Sequence, residues 1–351
     1  MNTPDEFSLT GLGWSNFFQQ QLELAELEAH TPVRVREVHR NALETLSQNG
    51  PCDVAMTPEL FEGRVAVGDW LVVAPDGHAR LLDRKSQLNR KAAGHVNYAQ
   101  AIAANVDSVF IVTSCNADFN LARLERYLVL CRQAMAEPVV VLTKPDLCPD
   151  PDEFQTAAQK GLPGVFVETV TATDPTDVTR ALQGWCQAGQ TVALLGSSGV
   201  GKTTLTNALT GLGEKTQDIR ETDAKGRHTT TKRSMHPMVT GGWLIDTPGM
   251  RELQLYDMSD GIDAVFDDIN QLAAACKFHD CAHETEPGCA VQAAVVGGAL
   301  DENRLARWRK LLREDEINTE SIAQHHARTR NRQKMYNQGK ARSKHKRRGF
   351  E

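Results

Sequence analysis

The chain has 351 residues, 40% hydrophobic and 24% charged, an ordinary globular composition that is neither collagen-like nor disordered and is long enough for two or three separate cores. Its longest apolar runs, such as Val109 to Val112 and Val139 to Leu142, fall far short of the roughly 20 residues that cross a bilayer, so no membrane partner is expected. The net charge of −6 hides a sharp asymmetry, because residues 321–350 hold ten Lys or Arg and no acid, which leaves −16 on the remainder.

Residues 1–30 read as an N-terminal extension with a short helix over 15–29. No Lys or Arg precedes Arg34, and Asp5, Glu6, Glu23, Glu26 and Glu28 make this stretch acidic. Neither a secretory signal nor an Arg-rich transit peptide fits, so a cytoplasmic location is expected. Five of the eight cysteines (Cys52, Cys115, Cys131, Cys148, Cys186) lack motif spacing. They are expected to be reduced, with Cys131 in a core.

Residues 31–100 change character. Alternating segments at Val33 to Val38, Gly63 to Val67 and Asp69 to Val73 are split by the turn signals Asn49-Gly50-Pro51 and Pro75-Asp76-Gly77, the pattern of a small antiparallel barrel. Five short strands in this length suit an OB-fold-like, RNA-binding barrel. It ends in Arg84, Lys85, Arg90 and Lys91, either an RNA contact or a solvated hairpin.

From 101 to 258 strands alternate with helices. Strands are predicted at Ser108 to Thr113, Val139 to Leu142, Val165 to Glu168, Thr191 to Leu195 and Trp243 to Ile245, and helices over 121–136, 152–160, 175–187 and 202–211. This texture gives the α/β fold class, a mainly parallel sheet covered on both faces. The strand at 139–142 runs into Thr143-Lys144-Pro145-Asp146, close to N-K-x-D. There Asp146 can accept hydrogen bonds from the N1–H and N2–H₂ donors of guanine, which adenine does not offer, while the Lys144 stem lies against the base.

Gly196-Ser197-Ser198-Gly199-Val200-Gly201-Lys202-Thr203 matches the phosphate loop G-x-x-x-x-G-K-T between an apolar strand and a helix. Its glycines let successive N–H groups face phosphate oxygens, and the helix start favours anions. Lys202 reaches the β- and γ-phosphates, Thr203 holds Mg²⁺, and Thr204 completes the loop's nucleotide set. Trp243-Leu244-Ile245-Asp246-Thr247-Pro248-Gly249 is a strand ending in D-x-x-G, where Asp246 serves the Mg²⁺ shell and the Gly249 N–H senses a γ-phosphate.

Residues 259–320 read as helical and carry Cys276-x4-Cys281-x-His283-x5-Cys289, three thiolates and an imidazole suited to one closed structural zinc site. His279 is a fifth possible ligand. The basic tail, 321–351, is either a polyanion-binding arm or a solvated segment.

Taken together, the motifs resemble those of translation-factor-type GTPases in an unusual order, with 143–146 before 196–203 and 246–249 last. With the leading barrel and trailing Cys/His cluster, residues 31–300 resemble the RsgA (YjeQ) family of small-ribosomal-subunit biogenesis GTPases. The resemblance implies a circularly permuted Ras-like domain and a GTPase that hydrolyses GTP to GDP and phosphate. Its implied partners are the 30S subunit and 16S rRNA, with assistance to late subunit maturation and stimulation by the subunit; a monomer is expected. It gives Thr171 and Ala172 the place of the second base-contacting loop and leaves His279 no metal role. Gly226-Arg227-His228-Thr229-Thr230-Thr231 is similar to the switch I segment, with Thr229 or Thr230 toward Mg²⁺ and the γ-phosphate. Met250 stands where Ras-like proteins carry a water-positioning glutamine, so slow intrinsic hydrolysis is expected, and His228 is a candidate substitute. Thr143 departs from the family's Asn and lacks the amide that bridges base and phosphate loop, so guanine preference through Asp146 is expected to survive in weaker form. Two rival readings are a phosphate-loop ATPase or small-molecule kinase, and an RNA-binding protein with a regulatory nucleotide site. The first leaves Asp146, the barrel and the tail without a role.

Overall fold

A computed structural model describes residues 7–62, 65–91, 99–213, 233–246 and 258–318. The chain divides into two compact units, residues 1–90 with 99–253 and residues 91–98 with 254–351.

The helix expected over 15–29 is two helices, α1 (Asn16–Gln19) and α2 (Leu24–Ala29). Glu23 restarts the helix through a capping box with Glu26, and Gln21 in the gap exchanges hydrogen bonds with the backbone of Asp83. The capping box satisfies backbone N–H groups at the start of α2 that have no partner within the helix.

Strands β1 (Thr31–Val38), β2 (Ala42–Ser47) and β3 (Gly50–Ala55), helix α3 (Pro58–Glu62), and strands β4 (Trp70–Val73) and β5 (Ala79–Leu81) follow. They make an antiparallel array in the order β3-β2-β1-β4-β5, around Val33, Val35, Leu43, Leu60 and Leu71. No pairing closes β3 onto β5 among the described residues. The strand expected across 63–67 does not form at Val65–Val67. Asp69 Oδ2 accepts the Ala66 N–H at 2.7 Å, and the chain turns at Gly68 with φ +91°. A Cβ there would meet the Ala104 carbonyl at 2.1 Å, so only glycine makes this turn. The cations at 84–91 are partly consumed internally, since Arg84 forks onto the buried Asp69 at 2.7 Å and Lys85 pairs with Asp107 at 2.5 Å.

A two-stranded sheet of β6 (Gln87–Lys91) and β7 (Ala99–Ala104) precedes the α/β region. There the chain runs β8 (Ser108–Ser114), α4 (Leu121–Gln133), β9 (Glu137–Thr143), α5 (Pro151–Gly161), β10 (Phe166–Val170), α6 (Pro175–Leu182), β11 (Thr191–Gly196), α7 (Lys202–Thr210), β12 (Ser234–Pro237) and β13 (Trp243–Asp246). The spatial order is β10-β9-β8-β11-β13-β12. Its first five strands are mutually parallel, and β12 is antiparallel to β13. Every residue of β8 and β11 is buried, as expected for strands covered on both faces. Cys131 lies fully in this core.

β12 also pairs with β1 at Ser234 and Glu37, which joins the two arrays into one sheet. The buried Arg34 of β1 reinforces the junction. Its guanidinium donates to the carbonyls of Leu12 and Asn105 and to Thr191 Oγ1 at the start of β11.

In the second unit, α8 (Ser259–Val265) and α9 (Asp267–Ala273) lead into the cysteine-bearing loop, then α10 (Ala290–Val296) and a helix over 302–318. Arg304 clasps Asp268 with two hydrogen bonds and the Val265 carbonyl with a third, above the Phe266 ring. Among the described residues no helix is long and apolar enough to cross a membrane.

Candidate nucleotide site and metal centre

Because β8, β9, β10, β11 and β13 are parallel, their C-terminal ends and the loops that follow lie along one edge of the sheet, the usual ligand edge of such folds. The phosphate loop leaves β11 at Gly196, whose φ of +148° and a Cβ-to-Val112 carbonyl approach of 2.2 Å admit no side chain. Gly199 and Gly201 also have positive φ, +79° and +94°, and Gly201 caps α7. Lys202 folds back over the loop, its ammonium on the Gly196 carbonyl at 2.8 Å and on the Ser197 carbonyl. Ser198 and Thr203 are exposed, and Ser197 and Thr204 are half-buried. Val200 is buried in the core beneath the loop.

The end of β9 reaches the same loop. Thr143 is fully buried, with its hydroxyl 2.6 Å from the Val200 carbonyl and 3.1 Å from the Thr113 carbonyl. One proton serves one carbonyl at a time, and the shorter contact favours Val200. Thr143 lacks the amide of an asparagine, and its hydroxyl reaches the phosphate loop in its own way. Lys144, at φ +59°, sends its ammonium to the Gly199 carbonyl at 2.6 Å. Asp146 is exposed in the short turn that follows.

Val170 pairs with Thr143 in register, so Thr171 and Ala172 follow alongside the turn that carries Asp146. Asp177 accepts the Thr171 N–H at 2.8 Å, and Ala172 is buried. Asp246 ends β13 opposite Ser234. His228, Thr229, Thr230, Gly249, Met250 and the tail at 321–351 lie outside the described residues.

Four supporting residues are marked by no motif in the sequence. Tyr127 of α4 is buried and its hydroxyl bonds Ser197; a tyrosine within an apolar helix carries no motif. Asp177 announces itself only as a helix-start acid after Asp174-Pro175. In the second unit, Gln292 and Arg309 both donate to the His283 carbonyl, across sequence separations that no spacing rule covers.

That carbonyl belongs to the metal-ligand cluster. The ligand atoms of Cys276, Cys281, His283 and Cys289 lie within 4.8 Å of one another. His283 Nδ1 faces Cys276 Sγ at 3.6 Å and Cys289 Sγ at 3.5 Å. Backbone N–H groups of Ala290 and Gln292 donate to the Cys276 and Cys289 sulfurs, support suited to thiolates. Burial, then the Arg309 charge, lowers the His283 imidazole below its ordinary value, which favours the neutral, ligating form. His279 lies outside the cluster. The set can hold a metal ion.

Spatial neighbours and chain order differ here: β9, which runs into Thr143-Lys144-Pro145-Asp146, comes before the phosphate-loop strand β11, and the Asp246 strand comes after both. That arrangement defines a circularly permuted phosphate-loop GTPase. A family model described as RsgA GTPase matches residues 81–256. The chain is 52% identical over 318 residues to the small ribosomal subunit biogenesis GTPase RsgA of Mesorhizobium japonicum, covering 89% of this chain and 91% of that one. It is 48% identical over 340 residues to RsgA 2 of Vibrio vulnificus, covering 96% of each. The fold is similar to that of YjeQ from Thermotoga maritima, with TM-score 0.58, 23% identity, and coverage of 81% of this chain and 98% of that one. It is also similar to YloQ, described as a circularly permuted GTPase, with TM-score 0.59, 24% identity, and coverage of 82% and 96%. The chain belongs to the RsgA GTPase family and is a GTP hydrolase.

Proposed function

We propose that this GTPase binds the small ribosomal subunit through 16S rRNA, assists late subunit maturation as a cytoplasmic monomer, and hydrolyses GTP when the subunit stimulates it. The observation that carries the nucleotide half is the Lys144 contact to Gly199 at 2.6 Å, which couples the base-reading turn to the phosphate loop. The ribosomal half is supported by the 52% identity to a small ribosomal subunit biogenesis GTPase and by the ten cations of residues 321–350, which suit a polyanion.

In this reading Asp146 reads guanine, with Thr171 and Ala172 beside the base. Lys202 and the loop N–H groups from Gly196 to Thr204 hold phosphates, and Gly249 senses the γ-phosphate. His228 orients the attacking water in place of a glutamine. Thr203, Asp246 and Thr229 or Thr230 would hold Mg²⁺, which neutralises phosphate charge when bound. Cys276, Cys281, His283 and Cys289 would hold one zinc ion, whose binding contributes folding energy to the loop. The proposed division is an extension (1–30), an OB-fold-like barrel (31–100), the GTPase domain (101–258), a zinc-binding domain (259–320) and a tail (321–351).

Co-sedimentation of the full chain with purified small subunits tests the reading. Tighter association with a non-hydrolysable GTP analogue than with GDP is expected; equal association in both states contradicts a nucleotide-controlled grip.

A further inference from the structure

The hairpin of β1 and β2 carries a donor cluster that nucleotide chemistry does not use. A bulge between Val35 and Glu37 brings Glu37 directly opposite Glu44. Like charges facing each other across an antiparallel pair repel. Between them sits His39, its Nε2 2.9 Å from Glu44 Oε1 and 3.6 Å from Glu37 Oε1. One ligand atom from each residue lies within 4.8 Å of the others. The His39 N–H donates to the Ala42 carbonyl at 2.9 Å, which fixes the backbone that carries the ring.

We propose that Glu37, His39 and Glu44 form a second metal site, for a divalent transition-metal ion of the zinc class. Tetrahedral coordination at about 2.0–2.1 Å puts ligand atoms roughly 3.3 Å apart, inside the span found here. One imidazole with two carboxylates suits zinc and its first-row neighbours, whereas calcium takes six or more oxygens and magnesium keeps most of its water. The side chains are 15% (Glu37), 32% (His39) and 47% (Glu44) exposed, so a water completes the set and the ion exchanges more readily than at three thiolates. Glu37 also pairs with Ser234 of β12, which puts the ion where the β1 array meets the α/β sheet.

Cobalt(II) titration of the full-length protein, followed by absorption, separates the two sites. Thiolates give intense sulfur-to-metal charge-transfer bands, and a carboxylate–imidazole site gives none. The expected result is two equivalents bound, the first with charge-transfer bands and the second with weak d–d bands alone. His39→Ala and Glu44→Gln should each weaken only the second equivalent, by at least about tenfold, with the charge-transfer bands and thermal midpoint of the metal-free protein unchanged. A single equivalent in the wild type overturns the proposal, since the three side chains would then hold one another without an ion. A second equivalent that survives both substitutions overturns it as well, because other surface acids would be responsible.

Discussion

The hydroxyl of Thr143 lies 2.6 Å from the carbonyl of Val200, so the residue that opens the Lys144–Asp146 turn is bonded to the phosphate loop. Thr143→Val keeps the shape and removes the donor, leaving a buried carbonyl short of a partner. Such a loss costs about 1–3 kcal/mol, which corresponds to a GTP dissociation constant raised by roughly 5- to 150-fold if it falls on the bound state. Equilibrium binding of a fluorescent guanine nucleotide measures it, and Thr143→Ser should retain most of the affinity.

Asp146 stands exposed in its turn, and the proposed role for it is to accept hydrogen bonds from guanine. Asp146→Ala should cost GTP about tenfold or more in affinity, since charged hydrogen bonds contribute about 1.5–3 kcal/mol, and leave ATP unchanged. Competition of GTP and ATP for the variant reads this directly. An unchanged GTP-to-ATP ratio would assign base selection elsewhere.

Arg34 ties Leu12, Asn105 and Thr191 together from inside the core. Burial lowers its guanidinium to about 10, so it remains charged at neutral pH. Arg34→Ala should remove about 3 kcal/mol or more through orphaned acceptors and a cavity, lowering the thermal midpoint by several degrees. Arg34→Lys should recover only part of that, because an ammonium lacks the planar fork.

The clasp of Arg304 on Asp268 sets a pH dependence. Desolvation raises the Asp268 carboxyl, but the Arg304 hydrogen bonds and charge outweigh it and hold the group below its ordinary 3.8. The unfolded chain therefore binds the proton more readily, so this contribution is complete above pH 3.8 and is lost as pH falls through the lower folded value. The carboxylate is 44% exposed, so Asp268→Asn should cost only about 1 kcal/mol after screening. Hydrogen exchange across 302–318 should quicken in the variant, and the wild type should approach it in acid.

Much of this site was legible in the sequence because its chemistry is local. The phosphate loop needs glycines at fixed spacing on a strand-to-helix turn, and Gly196 to Thr203 appear at that spacing. The parallel strands are continuous apolar runs, and the cysteine cluster falls within one short loop. What was missed depends on distance. The Gly63 to Val67 alternation mimics a strand, but the Asp69 carboxylate and the Ala104 backbone, remote or side-chain partners, turn it. At Thr143 the motif leads one to expect an asparagine amide, and a hydroxyl in its place reaches the same loop. Arg84 and Lys85 resembled a solvent-facing patch because their acids, Asp69 and Asp107, lie 15 and 22 residues away.

The central claim is a guanine-specific hydrolase answering to the small ribosomal subunit. The most direct test is steady-state hydrolysis of GTP and ATP with and without purified small subunits, with Lys202→Ala as the blank. Slow GTP turnover that the subunits strongly accelerate, with ATP inert throughout, is the predicted result. GTP turnover indifferent to the subunits, or faster turnover of ATP, would contradict it.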